Sequence, residues 1–218
     1  AEISSSTAVV MQTVAGNKAA IGYISLGSLD SSVKAVKVDG VEATADNVKN
    51  GTYPICRPFN IATKGDLSDA AKDFIAFIQS DEGQQVITDK GCVSTGSTGA
   101  FSSANPTGTV VIEGSSSVTP VMEKLAEAYM AINSGVTVKV QQSDSSTGMT
   151  SAIEGTYDIG MASRELKEDE AAALAHQAIA MDGIAVIVNL ENPTEDMTVE
   201  QIASIFLGGA TKWNEMVK

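Results

Sequence analysis

At 218 residues, with 14 Lys and Arg against 27 Asp and Glu, the chain carries a formal net charge of −13. That balance argues against nucleic acid and anionic membranes as partners, and any anion site must then rely on local dipoles and hydrogen-bond donors. Hydrophobic residues make up 43%, enough for one or two compact domains with a sizeable core, yet no run approaches the roughly 18 apolar residues that cross a bilayer.

Ser4-Ser5-Ser6 can cap a helix over residues 7–14, closed by Gly16-Asn17. IGYISL at 21–26 reads as a strand, and residues 33–38 as a second, which reaches the Asp39-Gly40 turn and Val41 in hairpin fashion. Residues 46–50 make a short helical turn. In TYPICRPFNIAT, Pro54 and Pro58 disfavour a central strand near the start, leaving 59–63 as the strand and an extended segment suited to crossing between lobes. Residues 67–80 form a strong helix with Ala70, Phe74, Phe77 and Ile78 on one face and Asp66 or Ser68 as its cap. A further helical piece over 81–88 stops at Lys90-Gly91.

Residues 94–108, STGSTGAFSSANPTG, have linker composition and lie between two patterned halves. VVI at 110–112 then reads as a buried strand, and Met122, Leu125, Tyr129 and Ile132 as the apolar stripe of a helix. Gly114-Ser115-Ser116-Ser117 joins them, with Pro120 in the first helical turn. The pattern repeats: VTVKVQ at 136–141 alternates as a strand, SDSSTG follows at 143–148, and a helix runs over 149–154. YDIGMA at 157–162 is a short strand ending in Ser163-Arg164. An Ala- and Glu-rich helix over 167–175 carries on to His176. IAVIV at 184–188 is the continuous apolar run expected of a parallel strand covered on both faces. Thr198 and Gln201 stand at capping-box spacing for a helix over 198–207, and Trp213 and Met216 hint at one more turn.

Strands alternating with helices predict an α/β fold with a mostly parallel sheet, whose ligands sit beyond the carboxyl ends of the strands. Three strand ends there bear hydroxyls, at Ser115–Ser117, Ser145–Ser146 and Ser163. A helix N-terminus carries about half a positive charge, so these turns either hold an oxyanion or simply cap their helices. Cys56 and Cys92 could pair or stay free, and with a single histidine they argue against a zinc site. His176 and the lack of a G-x-S-x-G elbow speak against a serine hydrolase or phosphatase, and no cofactor is called for.

The motifs VIEGSSSVTPVMEKLAEAY, QQSDSSTGMTSAIEGTYDIGMASREL, MDGIAVIVN and IFLGGATKWNEM resemble the first part of the periplasmic phosphate-binding proteins of ABC phosphate importers, within the solute-binding protein family. VAGNKAAIGYISLG, NGTYPICRPFNIATKG and FIQSDEGQQVITDKG resemble the family's closing part, so the order is reversed. The resemblance implies a periplasmic-binding-protein type II-like fold of two lobes, each with a mostly parallel sheet. One lobe would be 59–182, with 94–108 joining the family's original termini; the other, at 1–58 and 183–218, would be incomplete. The reversed order implies a circular permutant, and a segment bearing Ser-Gly-Thr-Arg, expected between the KWNEM and AEISSST stretches, does not occur between them. An incomplete lobe would invite self-association or a partner chain.

The same resemblance assigns phosphate contacts to Ser117 and the Val118 N–H, with Ser116 beside them, to Ser145 and Ser146, and to Ser163. Many members carry at this last position an aspartate that accepts the proton of hydrogen phosphate. Asp144 or Asp182 could supply that acceptor, and Arg164 either reaches the anion or pairs with Glu165 or Asp158. The implied function is non-covalent binding of inorganic phosphate in an interlobe cleft, for delivery to the membrane subunits of an ABC importer. The alternative is an engineered, permuted or truncated scaffold with weakened or lost binding. An extracytoplasmic setting is implied, although no signal peptide is read and Cys92 lacks the apolar stretch of a lipoprotein cleavage site.

Overall fold

The structure, a computed structural model, describes residues 4–213; the turn expected around Met216 lies outside them. Helix α1 (Thr7–Gly16) leads into strand β1 (Ile21–Ser25), and the short strands β2 (Lys34–Ala35) and β3 (Lys37–Val38) reach the Asp39-Gly40 turn, where Val38 bridges Val41. The Thr44 hydroxyl caps α2 (Ala45–Lys49) by accepting from the Asn47 amide. Strand β4 (Cys56–Thr63) starts at Cys56 rather than Phe59. Pro58 lies ahead of the antiparallel ladder with β8, which begins at Asn60. Ser68 caps α3 (Asp69–Gln79), and Ser80 both ends that helix and caps α4 (Asp81–Asp89).

Strand β5 (Val93–Ser94) is followed by β6 (Gly108–Ser115), α5 (Thr119–Ile132), β7 (Val136–Ser143), α6 (Ser145–Glu154), β8 (Ile159–Ala162) and α7 (Glu168–Ala173). The chain continues as β9 (Ala175–Val188), β10 (Asp196–Met197) and α8 (Val199–Phe206), whose first turn carries the expected Thr198/Gln201 capping box. Two further elements differ from the sequence reading. Helix α6 opens at Ser145, ahead of the expected Met149, because the Asp144 carboxylate satisfies its first amides. Strand β9 is 14 residues long and takes in His176, which is exposed on a strand instead of sitting in a helix. Leu174, in extended backbone, is where α7 gives way to it.

The chain divides into two compact units, residues 57–182 and residues 1–56 with 183–218. Within 57–182 the strand order is β9-β4-β8-β6-β7. Strand β6 is parallel to both β7 and β8, β4 is antiparallel to β8, and β5 is antiparallel to the first half of β9. Phe59, Phe74, Phe77, Ile112, Leu125 and Tyr129 are fully buried in the core of this unit, which brings the faces of α3 and α5 together with the sheet. At roughly 1.5–3 kcal/mol per buried large apolar side chain, this cluster is a main source of the unit's stability.

In the other unit β1 and β2 pair antiparallel with the second half of β9, and β10 pairs parallel with β3. The parallel reading of residues 184–188 is therefore corrected: the run is buried and flanked as expected, but its partners run the opposite way. An apolar run covered on both faces records burial, not direction.

Residues 94–108 have the composition of a free linker, but they are fastened along α3, α4 and α5. The Asp81 amide donates to Gly99 O at 2.9 Å and the Phe101 amide to Glu82 Oε2 at 2.8 Å. The buried Asp73 carboxylate accepts from the Ala104 amide, the Ser103 hydroxyl and the Tyr129 hydroxyl at 2.8–2.9 Å. The Phe101 ring lies edge-on to Phe77, 5.2 Å between centroids. Both cysteines are free thiols, Cys56 exposed and Cys92 buried. Burial, reinforced by the Asp182 charge, pushes the Cys92 thiol up to about 12.

Candidate anion-binding site

Three parallel strands, β7, β6 and β8, end at one edge of their sheet. Ser115 pairs in register with Ser143, and Gly114 with Met161. The turn 115–118, the first turn of α6 and Ser163 therefore emerge side by side, where ligands gather in sheets of this kind. Two glycines allow the approach. Gly114 has φ +148°, and a Cβ on it would stand 2.2 Å from Met161 O; a Cβ on Gly148 would stand 2.6 Å from Glu113 O. A side chain at either position would push α6 and β8 off the end of β6.

Ser115 organises the first turn. It is buried, its hydroxyl accepts from the Ser117 amide at 3.2 Å, and its carbonyl accepts from the Val118 amide and the Thr119 hydroxyl, both at 3.0 Å. Ser116 and Ser117 are half-buried beside it. Helix α5 then follows, with Val118 in the cap position, no side-chain cap and Pro120 in its first turn. The second turn is built differently. The Asp144 carboxylate accepts from the Ser146 amide at 2.8 Å, the Thr147 amide at 3.1 Å and the Thr147 hydroxyl at 2.7 Å. Those bonds, led by the Thr147 hydroxyl, hold Asp144 below the usual carboxylate range.

Ser163 joins the two turns. Its oxygen accepts from the Ser115 hydroxyl at 2.9 Å, and its amide donates to Ser145 Oγ at 3.1 Å. Arg164, the next residue, donates to Ser146 Oγ at 3.3 Å and forks onto Glu170 with bonds of 2.7 and 2.8 Å. That carboxylate is buried and also accepts from the Lys167 amide at 2.8 Å. The Arg164 pair lowers Glu170, and Glu170 in turn raises Arg164.

The structure thus brings Ser116, Ser117, Val118, Asp144, Ser145, Ser146, Ser163 and Arg164 to one edge. The ion-pair partner of Arg164 is Glu170, not Glu165 or Asp158: Glu165 offers only its backbone carbonyl, and Asp158 accepts from the Val111 amide. Asp144 serves as a helix cap. Asp182 is fully buried in β9, where it accepts from Arg57 Nε at 3.2 Å. Sequence reasoning passed over Ser115 as one serine among three; only its burial between the Ser117 amide and Ser163 distinguishes it. Among the described residues no group of three or more His, Cys, Asp or Glu could hold a metal ion, and no helix is long and apolar enough to cross a membrane.

The edge is rich in neutral donors, and its one cation is held by a carboxylate, so it suits a small oxyanion received by hydrogen bonds. Comparison with known proteins points the same way. Residues 1–82 and 99–217 match the PBP superfamily domain. The chain is 50% identical over 220 residues to the phosphate-binding protein PstS 2 of Streptococcus agalactiae serotype V, covering 100% of this chain and 75% of that one. It is 46% identical over 217 residues to PstS 2 of Streptococcus pneumoniae serotype 4, covering 99% of this chain and 75% of that one. A crystal structure of a phosphate-binding protein of a phosphate ABC transporter from Streptococcus pneumoniae TIGR4 superposes with a TM-score of 0.79 at 46% identity, over 100% of this chain and 85% of that one. These matches do not show a permuted order of segments, and none supports an engineered origin.

Proposed function

Because the chain belongs to the PBP superfamily and, within it, to the PstS phosphate-binding proteins, we propose that it binds inorganic phosphate without covalent chemistry at the serine edge of residues 57–182. It then passes the anion to the membrane subunits of an ABC importer, in an extracytoplasmic compartment. The observation that carries this reading is the bonding of the three strand-end turns to one another through Ser115, Ser163 and Ser145. Ser116, Ser117, Ser145, Ser146 and Ser163 offer hydroxyls, and the Val118 amide lies at the entrance of α5. Arg164 lends positive charge from behind Ser146.

Neutral donors suit a chain of net charge −13. They replace the anion's water without raising the general affinity for anions, and they need no partner carboxylate when the site is empty. Asp182, spent on Arg57, has no part in this reading. Titration calorimetry tests it. Phosphate should give saturable heat, and S117A should weaken binding by about 10- to 100-fold, the range for one hydrogen bond to a charged group, at an unchanged melting temperature. No heat with the unaltered chain at millimolar phosphate overturns it.

A further inference from the structure

Residues 94–108 contain no Lys, Arg, Asp or Glu, yet their middle is held by acids. Both ends of 100–107 are tied through the backbone: the Thr98 amide donates to Gln79 O at 2.9 Å, the Asp81 amide to Gly99 O at 2.9 Å, and the Gly108 amide to Gly135 O at 3.1 Å. Between those ties two carboxylates take the bonds. Glu82, exposed at the start of α4, accepts from the Phe101 amide at 2.8 Å. Asp73, buried in α3, accepts from the Ser103 hydroxyl at 2.9 Å and the Ala104 amide at 2.8 Å. Two donors from α5 and its end share Asp73, the Tyr129 hydroxyl at 2.8 Å and Asn133 Nδ2 at 2.9 Å. None of the ion pairs among the described residues involves Asp73 or Glu82, so each negative charge is met by hydrogen-bond donors rather than by a cation.

We propose that residues 100–107 form an acid-released strap, fixed at both ends and let go in its middle when Asp73 and Glu82 take up protons. Bonds to a charged acceptor are about twice as strong as bonds to a neutral one, and the Phe101 and Ala104 amides cannot turn round to accept instead. Tyr129 is the titratable group that faces Asp73 from α5. Burial first, then the Asp73 bond, pushes its hydroxyl up to about 12, so it stays protonated throughout the acid range. On α4, Asp81 stands beside Glu82 and receives the Ser97 hydroxyl. The Phe101 amide holds Glu82 below the usual carboxylate range. A carboxylate so depressed contributes fully above its unfolded value, roughly pH 4.3, and loses that contribution as pH falls through the folded value. Letting go would lift the Phe101 ring from Phe77 and Tyr129, whose centroids lie 5.2 and 6.0 Å away, and open that side of the aromatic cluster to water.

Hydrogen-exchange NMR of the full chain at pH 7 and pH 4 tests this, read as protection factors so that the intrinsic pH dependence of exchange divides out. The Phe101 and Ala104 amides should lose about 10- to 100-fold of their protection between the two, while the interior amides of α3 and α5 keep theirs. D73N, nearly isosteric and uncharged, should bring the Ala104 amide to its acid value already at pH 7. E82Q should do the same for the Phe101 amide. Strap amides that stay protected at pH 4 overturn the proposal, as does an Ala104 amide in D73N as well protected as in the unaltered chain. So does loss of protection in 101–104 and in both helices together, as expected if acid simply unfolds residues 57–182. If D73N does not fold, the pH response of the unaltered chain and E82Q decide.

Discussion

Helices α5 and α6 meet the same sheet edge, from β6 and β7, and begin in opposite ways. The entrance of α6 is filled by the chain's own carboxylate, with Asp144 accepting from two amides and a hydroxyl. The entrance of α5 has no side-chain cap, and the Ser117 amide ahead of it rests on the uncharged Ser115 hydroxyl. A carboxylate at a helix start claims the partial charge that an arriving anion would use, whereas a hydroxyl leaves it available. One entrance is therefore closed by charge, and the other is left neutral beside Ser163. On the reading proposed above, phosphate would meet the α6 turn through the Ser145 and Ser146 hydroxyls and not through the amides that Asp144 holds.

The division depends on the two helix starts lying against the same strand end, so the most damaging change is one that parts them. G114A would set a Cβ 2.2 Å from Met161 O, at a backbone φ of +148°. Strain and overpacking together should remove about 3–5 kcal/mol of stability. Urea unfolding should show a midpoint shift of that size, and phosphate binding should be lost with it. A G114A protein of unaltered stability would mean that the close packing of β6 on β8 is not needed to form the edge.

The next largest effect separates Arg164 from its anchor. Glu170 is held below the ordinary carboxylate range, first of all by Arg164. A carboxyl depressed in the folded state contributes stability above its unfolded value, roughly pH 4, and loses that contribution as pH falls through the folded value. E170Q should cost about 1.5–3 kcal/mol at pH 7, as expected for a buried hydrogen bond to a charged group, and flatten the fall in melting temperature below about pH 4. Arg164, freed toward Ser146, should strengthen phosphate binding slightly. An acid limb of the melting curve unchanged in E170Q would show that other carboxylates set it.

The contrast between the two entrances was only half legible beforehand. Phe74 and Phe77, or Met122, Leu125 and Tyr129, fall at helical spacing, so α3 and α5 follow from period alone. The hydroxyl turns stand out because each closes an apolar strand. The start of α6 was hidden, because Asp144 reads as a loop aspartate until its amide partners are known. The first half of β9, AHQAIAMDG, mixes Ala, His and Gln without alternation and borrowed helical character from the Ala-rich stretch before it. Its second half was recognised as a buried strand, yet nothing in Ile-Ala-Val-Ile-Val encodes the direction of its partners. Glu170 escaped as the partner of Arg164 because the pair spans six residues, across an irregular stretch and into the first turn of α7, so local spacing could not suggest it.

The smallest effect probes the contrast most directly, because it makes the two entrances alike in charge. Asparagine caps a helix about as well as aspartate, so D144N keeps α6 in place while removing one negative charge from the edge. A unit charge a few ångströms away through solvent repels an anion by about 0.5–1 kcal/mol, which predicts phosphate binding roughly threefold tighter in D144N. The gain should shrink as sodium chloride rises from about 0.05 to 0.5 M, since screening already weakens that repulsion in the parent chain. Calorimetry of both proteins across this salt range reads the difference. An affinity that fell in D144N, at unchanged helix content, would mean that Asp144 acts on the anion as a proton acceptor rather than a cap, and the two entrances would then be partners instead of opposites.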